Sequence, residues 1–202
     1  MSKIISLAIP LFILMDFIGT IPVFLALTQA WQQRERIRIA IAASLLAGAI
    51  VLVFAVSGRQ ILNYFALSVE AARVGGGLLL LYIAFEMILS GKMVYMGTAN
   101  LSARNLIVSP LAIPMLAGPG SMTFAMIAFL GLEGIEKAYL FVAIVLAVLF
   151  GAGLLSLSSL VHKFLGPEFA RGLEKITAVV ISFVALEMIM SGIKTFFFSG
   201  GQ

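Results

Sequence analysis

The sequence contains no cysteine, a single histidine and a single aspartate, and only 11% of its 202 residues are charged. The lack of cysteine excludes disulfides and thiolate metal sites. Soluble domains carry roughly 25% charged residues, so a chain with 62% hydrophobic residues cannot hide its apolar surface in a soluble core. A bilayer can take up that surface, and the mean hydropathy of +1.15 indicates a membrane protein.

The same shortage leaves few ways to build a catalytic site. An intramembrane aspartyl protease needs two aspartates, and Asp16 is the only aspartate in the chain. A serine–histidine dyad would have to use His162, which the sequence places at the membrane edge, far from Ser121. No loop carries a phosphate-binding glycine motif. We therefore expect no enzymatic activity, no cofactor and no metal site.

Six apolar segments have the roughly 20 residues that a membrane-spanning helix needs. They are Ile4–Leu27, Ile37–Gly58, Arg73–Gly91, Leu106–Leu130, Ala138–Val161 and Glu174–Phe197. The first is longer than the roughly 7–15 apolar residues of a cleaved signal peptide, so we expect it to be a helix of the protein. The loops between segments are too short to fold as domains. The prediction is an all-α membrane protein with one transmembrane domain over residues 1–202.

The basic residues are scattered through short loops, a pattern that predicts an orientation in the membrane and no nucleic-acid partner. With six spans both termini lie on one face, which carries five basic residues against eight on the other face. The positive-inside rule makes the more basic face cytoplasmic. We therefore expect a multi-pass inner-membrane protein in the lipid bilayer, with both termini extracytoplasmic.

Two short motifs recur in the second half of the chain, in the same order. Leu7-Ala8-Ile9-Pro10 returns as Leu111-Ala112-Ile113-Pro114, and residues 84–91 match residues 185–192 at six of eight positions. The matches fall in the first and third helix of each half. They predict a duplication, with residues 1–100 and 101–202 as the two repeats. Because each repeat holds three spans, the second enters from the opposite side, and such inverted repeats are typical of secondary transporters.

Five of the six prolines lie in the first and fourth helices, which correspond in the two repeats. Proline removes a backbone donor, and glycine and hydroxyl residues accompany it in residues 16–22 and 117–121. We predict that helices 1 and 4 break near the midplane; the helix-breaking residues are Pro22, Pro114 and Pro119. Unwound backbone survives in a membrane only where it is buried or lines a cavity. Paired breaks point to a transport site, and the alternative is a pair of kinks that serve packing alone.

Polar and small residues near the two breaks are the candidate binding residues. Asp16 lies near mid-membrane, where an ionisable group costs roughly 2.5–3.5 kcal/mol, so it should face the protein interior. It could contact a substrate ammonium, a cation or a proton, or it could only cap the broken helix. The predicted substrate-binding residues are Asp16, Gly19, Thr20, Gly118, Gly120, Ser121 and Thr123.

Two further features belong to the third helix of each repeat. Glu86 and Glu187 are equivalent residues that the inverted repeat places near opposite membrane faces. The plainer interpretation is that each carboxylate reaches its own interface, and the alternative is a pair of gate residues. The glycines at residues 75–77 predict a close helix crossing, and the alternative is a thin wall beside the binding site.

The run from Pro110 to Ser121 resembles the signature of the MarC family, six-helix membrane proteins that include neutral amino acid transporters. Residues 16–20 resemble that family's Asp-Pro-x-Gly-Asn element, and residues 73–79 resemble its Arg-x-x-Gly-Gly stretch. Two positions depart from the pattern, since Phe17 stands in place of the proline and Thr20 in place of the asparagine. The resemblance implies transport of small neutral amino acids such as glycine and alanine.

Together these features predict alternating access around a site between the two broken helices. The expected substrate is a small zwitterionic amino acid. Its carboxylate would meet the backbone N–H groups of Gly120 and Ser121 at the positive end of a half-helix, and its ammonium would meet Asp16 or freed carbonyls. The candidate coupling ions are H+ and Na+. The alternatives are an exporter or channel for another small solute, a redox or lipid-handling enzyme, and a structural membrane protein without transport.

Overall fold

The computed structural model describes residues 2–29, 31–89 and 102–198, and over these ranges the chain consists of helices joined by short turns. The elements in chain order are α1 (Ser2–Leu14), α2 (Phe17–Thr28), α3 (Gln33–Tyr64), α4 (Val69–Leu89), α5 (Ala103–Leu106), a wide-turned π segment (Ile107–Leu116), α6 (Pro119–Leu130), α7 (Glu136–Ser156) and α8 (Ser158–Phe198). The end of the third predicted span, at residues 90 and 91, lies outside the described residues.

Within the described ranges four stretches are long and apolar enough to cross a membrane, and the first of them includes the turn between α1 and α2. They are Lys3–Ile21, Gln33–Tyr64, Glu136–Ser156 and Lys175–Phe197. Two shorter apolar helices, Ala103–Ile113 and Pro119–Leu130, follow one another where the fourth span is expected. The helix α4 has 21 residues, which is about the length that a span needs. The all-α membrane architecture is confirmed, and the number of six spans stays a prediction.

Two helices extend beyond their predicted ends. Helix α3 continues past Gly58 to Tyr64, so the loop before α4 is only residues 65–68. Helix α8 begins at Ser158, so the loop predicted at residues 162–171 is helical. Polar residues mark the point where a chain leaves the bilayer, but many of them are good helix formers. The 41 residues of α8 reach about 60 Å, twice the roughly 30 Å of the hydrocarbon core, so part of α8 lies outside it.

Side-chain contacts between helix ends define the two ends of the bundle. At one end the ammonium of Lys3 in α1 pairs with the carboxylate of Glu136 at the start of α7. At the other end the Gln33 amide of α3 donates to the Ser156 carbonyl at the end of α7, at 3.5 Å, and accepts from the Ser159 hydroxyl at 3.4 Å. The chain from α1 to α2 therefore runs in the same direction as α7.

Small residues hold α3 and α7 together in the middle of the bundle. A Cβ atom on Gly48 of α3 would lie only 2.6 Å from Cγ2 of Val148 in α7. Along α3, one face is formed by apolar residues that are completely buried, namely Ala40, Ala43, Ala47, Val51 and Ala55. The opposite face carries large exposed side chains such as Phe54, as does α7 with Phe150. This distribution suits a helix pair with lipid on its outer side.

The remaining helices pack in matched pairs across the two halves of the chain. Helix α1 packs on α7 as the π segment packs on α3, and α2 packs on α8 as α6 packs on α4. Helices α4 and α8, the third helix of each half, form the most extensive contact. Exchange of partners between halves is the packing that a duplicated three-helix unit would produce, while the duplication itself stays a prediction.

Candidate functional site

The first helix break lies at Met15 and Asp16, between α1 and α2. Asp16 has left-handed backbone angles, φ 43° and ψ 48°. Apart from glycine, aspartate and asparagine are the residues that tolerate these angles best. Its Oδ1 atom accepts a hydrogen bond of 3.1 Å from the N–H of Gly19. Asp16 is thus the N-cap of α2, which satisfies one of the backbone donors at the start of that helix.

Gly19 and Thr20 hold Asp16 in place in two different ways. A Cβ atom on Gly19 would lie closer than 3.0 Å to the Asp16 carboxylate, so the carboxylate fits only above a glycine. The Thr20 hydroxyl donates to the Asp16 carbonyl at 2.8 Å, and the Thr20 N–H donates to the same oxygen at 3.0 Å. Because the threonine is 1% exposed, these contacts fix the turn from inside the protein.

Helix α2 continues through position 22, so the break precedes Pro22 and does not fall at it. The physical reason is that the Asp16 cap already starts a new helix at Phe17. A proline one turn further on removes one backbone donor, and helices inside a membrane protein tolerate this where neighbouring groups take over the freed carbonyl.

Phe17 anchors the first break to α7. Its ring is completely buried and stacks on Phe12 of α1 with 5.6 Å between ring centroids. A Cβ atom on Gly151 of α7 would lie closer than 3.0 Å to three atoms of this ring. The ring therefore occupies a space that only a glycine on α7 leaves open.

The second break lies at Ala117 and Gly118, within the residues predicted for it. The backbone is extended earlier, at Ser109 and Ile113 in the π segment, and Gly118 has φ −70° and ψ 165°. Pro119 is then the first residue of α6, a position where its missing N–H costs no helical hydrogen bond. The second break is thus a series of irregular residues that is followed by a new helix, α6. Position 114, which was also predicted to break the helix, lies inside the π segment, directly after the extended residue Ile113.

The first turn of α6 contains two buried residues, Gly120 and Ser121. Ser121 is 0% exposed, and its hydroxyl oxygen lies 3.0 Å from the Gly118 carbonyl oxygen and 3.3 Å from that of Leu116. One hydroxyl proton serves only one of the two acceptors at a time. The backbone N–H groups of Gly120 and Ser121 are among the first four of α6, which have no acceptor within the helix. They lie at the N-terminus of α6, the positive end of the helix dipole.

Thr123 lies one turn further along α6 and packs against α4. A Cβ atom on Gly76 of α4 would lie closer than 3.0 Å to the methyl group of Thr123. Gly77 approaches α8 in the same manner, with its Cβ position 2.8 Å from the Ala185 carbonyl, while Gly75 faces open space. Gly76 and Gly77 therefore permit the predicted close crossing, and the methyl of Thr123 serves helix packing.

The two breaks approach each other where the side chain of Leu14 lies near Gly120. A Cβ atom on Gly120 would lie 3.9 Å from Cδ2 of Leu14, the last residue of α1, and closer than 3.0 Å to Cδ2 of Leu80 in α4. Leu14 is 6% exposed and Leu80 is 2% exposed. Sequence reasoning missed both leucines, because a leucine in an apolar helix carries no chemical signal. The only hint was that Leu80 follows Gly76 by one helical turn.

The two predicted gate residues lie outside this buried region. The side chains of Glu86 on α4 and Glu187 on α8 are both exposed, and the interfacial and the gate interpretations both stay predictions. Another charged residue, Arg73 at the start of α4, is half-buried, and its Nη1 donates to the Ser191 hydroxyl of α8 at 3.2 Å. Its buried Nε has no hydrogen-bond partner in the described part of the chain.

Comparison with known proteins places these elements in a family. A family model described as MarC family integral membrane protein matches residues 1–197. The chain belongs to the MarC family. It is 32% identical over 193 residues to the UPF0056 membrane protein MJ1677 of Methanocaldococcus jannaschii, a match that covers 91% of this chain and 92% of that protein. It is 29% identical over 194 residues to the UPF0056 inner membrane protein YhgN of Escherichia coli K12, covering 96% and 98%. No solved structure is detectably similar to it.

MarC membership confirms the resemblance and makes this chain an integral membrane protein. The elements that carry the MarC resemblance are the two helix breaks and the start of α4. The two departures from the MarC pattern both have structural roles at the first break. Phe17 fills the space above Gly151, and the Thr20 hydroxyl bonds the carbonyl of Asp16.

Proposed function

We propose that this MarC protein is a secondary transporter of small neutral amino acids of the glycine and alanine type. The observation that supports this most is that the two interrupted helices approach each other, with the side chain of Leu14 near Gly120. Interrupted helices expose backbone polar groups, which a membrane protein tolerates only where protein or a cavity surrounds them. Paired interruptions in corresponding helices are a known arrangement of transport sites.

The two breaks offer groups of opposite charge, as a zwitterion requires. The first break contributes the carboxylate of Asp16, which is partly buried and would attract an ammonium group. The second contributes the first turn of α6, where the helix dipole favours a carboxylate. A neutral amino acid carries both groups on one carbon and would bridge the breaks. At two glycines of the predicted set other groups approach the backbone closely, namely the Asp16 carboxylate at Gly19 and the Leu80 side chain at Gly120.

The packing of the helices supports alternating access. The matched exchange of partners between the two halves is consistent with two inverted repeats that rock against each other around the breaks. We propose H+ or Na+ as the coupling ion and no cofactor or catalytic activity. The E. coli relative is named as an inner membrane protein, and we propose the same membrane here. The end marked by the pairing of Lys3 with Glu136 would then be extracytoplasmic.

Counterflow in proteoliposomes tests this proposal. Vesicles loaded with unlabelled alanine and diluted into trace labelled alanine or glycine should accumulate label transiently, and protein-free vesicles should not. A channel would let the label equilibrate but would not drive its accumulation. A structural membrane protein would give neither signal, so the absence of counterflow and of equilibration for both amino acids would reject transport of this substrate class.

A further inference from the structure

We infer that Leu80 of α4 sets the upper size limit of the transported amino acid, an inference that rests on the proposed function. Leu80 is 2% exposed and its Cδ2 atom reaches the backbone of Gly120, since a Cβ atom there would lie closer than 3.0 Å to it. A methyl group of Leu80 thus covers the first turn of α6, where the substrate carboxylate is proposed to bind.

The position of Leu80 matters because of the shape of an amino acid. The side chain of the substrate begins one carbon away from its carboxylate. A carboxylate held by the N–H groups of Gly120 and Ser121 therefore brings that side chain next to whatever covers this turn. The neighbours that the structure provides are Leu80 and, at 3.9 Å from the same Cβ position, Leu14. Hydrogen or a methyl group needs little space beside them, whereas a branched side chain must displace Leu80.

Leu80 is held firmly in this position. One turn before it, Gly76 lets α4 approach Thr123 of α6, and the Gly76 Cβ position is 3.3 Å from the Met188 methyl of α8. One turn after it, Ala84 is 1% exposed. Leu80 also belongs to a buried cluster with Ile181 of α8. The packing of α4 against both α6 and α8 around Leu80 opposes movement of this side chain away from Gly120.

Competition experiments measure the size limit. Uptake of labelled glycine into proteoliposomes is measured in the presence of increasing concentrations of unlabelled alanine, valine or leucine, and the concentration that halves uptake is determined for each. An apolar pocket discriminates about 10- to 200-fold for each methylene group. Leu80→Ala should therefore improve inhibition by valine and leucine, relative to alanine, by about tenfold or more. Leu79→Ala is the matched control, because Leu79 is the next residue of α4 and its side chain is 49% exposed.

A second substitution refills the same space. In the Leu80→Ala background, Gly120→Ala adds a methyl group where Cδ2 of Leu80 lies in the native protein, and it should restore the preference for small amino acids. Leu80→Val, which removes a single carbon, should give an intermediate shift and provides the measurement if Leu80→Ala is lost in purification.

The outcomes separate the inference from the proposed function. If wild-type vesicles take up glycine but the valine and leucine ratios of both Leu80 variants match those of wild type and Leu79→Ala, the inference is wrong and the transport proposal stands. If wild-type vesicles show no uptake of glycine or alanine, the proposed function fails and the inference fails with it.

Discussion

The contact between Phe17 and Gly151 yields a prediction that does not depend on any substrate. Gly151→Ala would place a methyl group closer than 3.0 Å to three atoms of a completely buried ring. An aromatic ring cannot bend away as the end of a leucine can, so the ring or the backbone of α7 must move. Overpacking of this kind costs about 1–3 kcal/mol, and it would also shift the neighbouring cap at Asp16.

Gly153 provides a control two residues further along the same helix. A Cβ atom there meets no other atom within 4 Å, so Gly153→Ala should be neutral or stabilise α7 by about 0.5–1 kcal/mol, as alanine in place of glycine does in a helix. Phe17→Leu replaces the ring with a smaller side chain and should lower stability, because it leaves a cavity. In the double variant the alanine methyl fills part of that cavity. The loss of stability in the double variant should therefore be smaller than the sum of the losses in the two single variants.

The assay is thermal or SDS-induced unfolding of purified protein in one detergent, with monodispersity checked by size-exclusion chromatography. We expect Gly153→Ala to be as stable as wild type or more stable, and Gly151→Ala to be clearly less stable than both. Equal stability of Gly151→Ala and Gly153→Ala would refute the reasoning, because it would mean that no rigid ring occupies the space above Gly151. Full additivity in the double variant would refute the direct contact.

Two further predictions concern the ends of the helices. Ser191→Ala removes the acceptor of Arg73 Nη1 in a part-buried hydrogen bond and should cost about 0.5–1.5 kcal/mol of stability, the net contribution of a typical intramolecular hydrogen bond. Ser182 donates its hydroxyl to a carbonyl of its own helix, so Ser182→Ala should cost less in the same unfolding assay. For orientation, the native chain has no cysteine, so a single cysteine at position 2 should react with an impermeant reagent in intact cells and one at Gln33 should not; the reverse pattern would invert the proposed topology.

The second break was predictable from the sequence because its chemistry is local. Glycine before proline at the start of a helix is a known N-terminal signal, and Gly118 and Pro119 occupy those positions. The first break was predictable in kind but not in position. Its location depends on Asp16 adopting left-handed angles and capping α2, whereas proline at position 22, the more obvious signal, falls inside a helix.

What the sequence could not predict depends on contacts between helices. The burial of Leu80 against Gly120 and of Phe17 against Gly151 arises from packing of segments far apart in the chain. Helix ends were missed for a different reason. The polar residues at 162–171 indicate that the chain leaves the bilayer there. Their composition does not require the helix to end, and α8 continues through them.

Asp16→Asn allows the most direct test of a charge at the centre of the site. Asparagine tolerates left-handed backbone angles and caps helices about as well as aspartate, so the substitution should preserve the first break and the hydrogen bond from Gly19. It removes only the negative charge proposed to bind the substrate ammonium. Loss of a charged hydrogen bond costs about 1.5–3 kcal/mol, which corresponds to roughly a ten- to hundredfold loss of affinity.

The deciding measurement is uptake of labelled alanine and glycine by proteoliposomes that contain wild type, Asp16→Asn or Glu86→Gln at equal protein density. Glu86 is exposed on α4, so Glu86→Gln is the control for loss of a carboxylate elsewhere. We predict normal yield and monodispersity for both variants, near-normal uptake for Glu86→Gln, and a ten- to hundredfold weaker apparent affinity for Asp16→Asn by the estimate above. Uptake by Asp16→Asn with unchanged affinity would contradict a substrate-binding role and leave Asp16 as the cap of a broken helix.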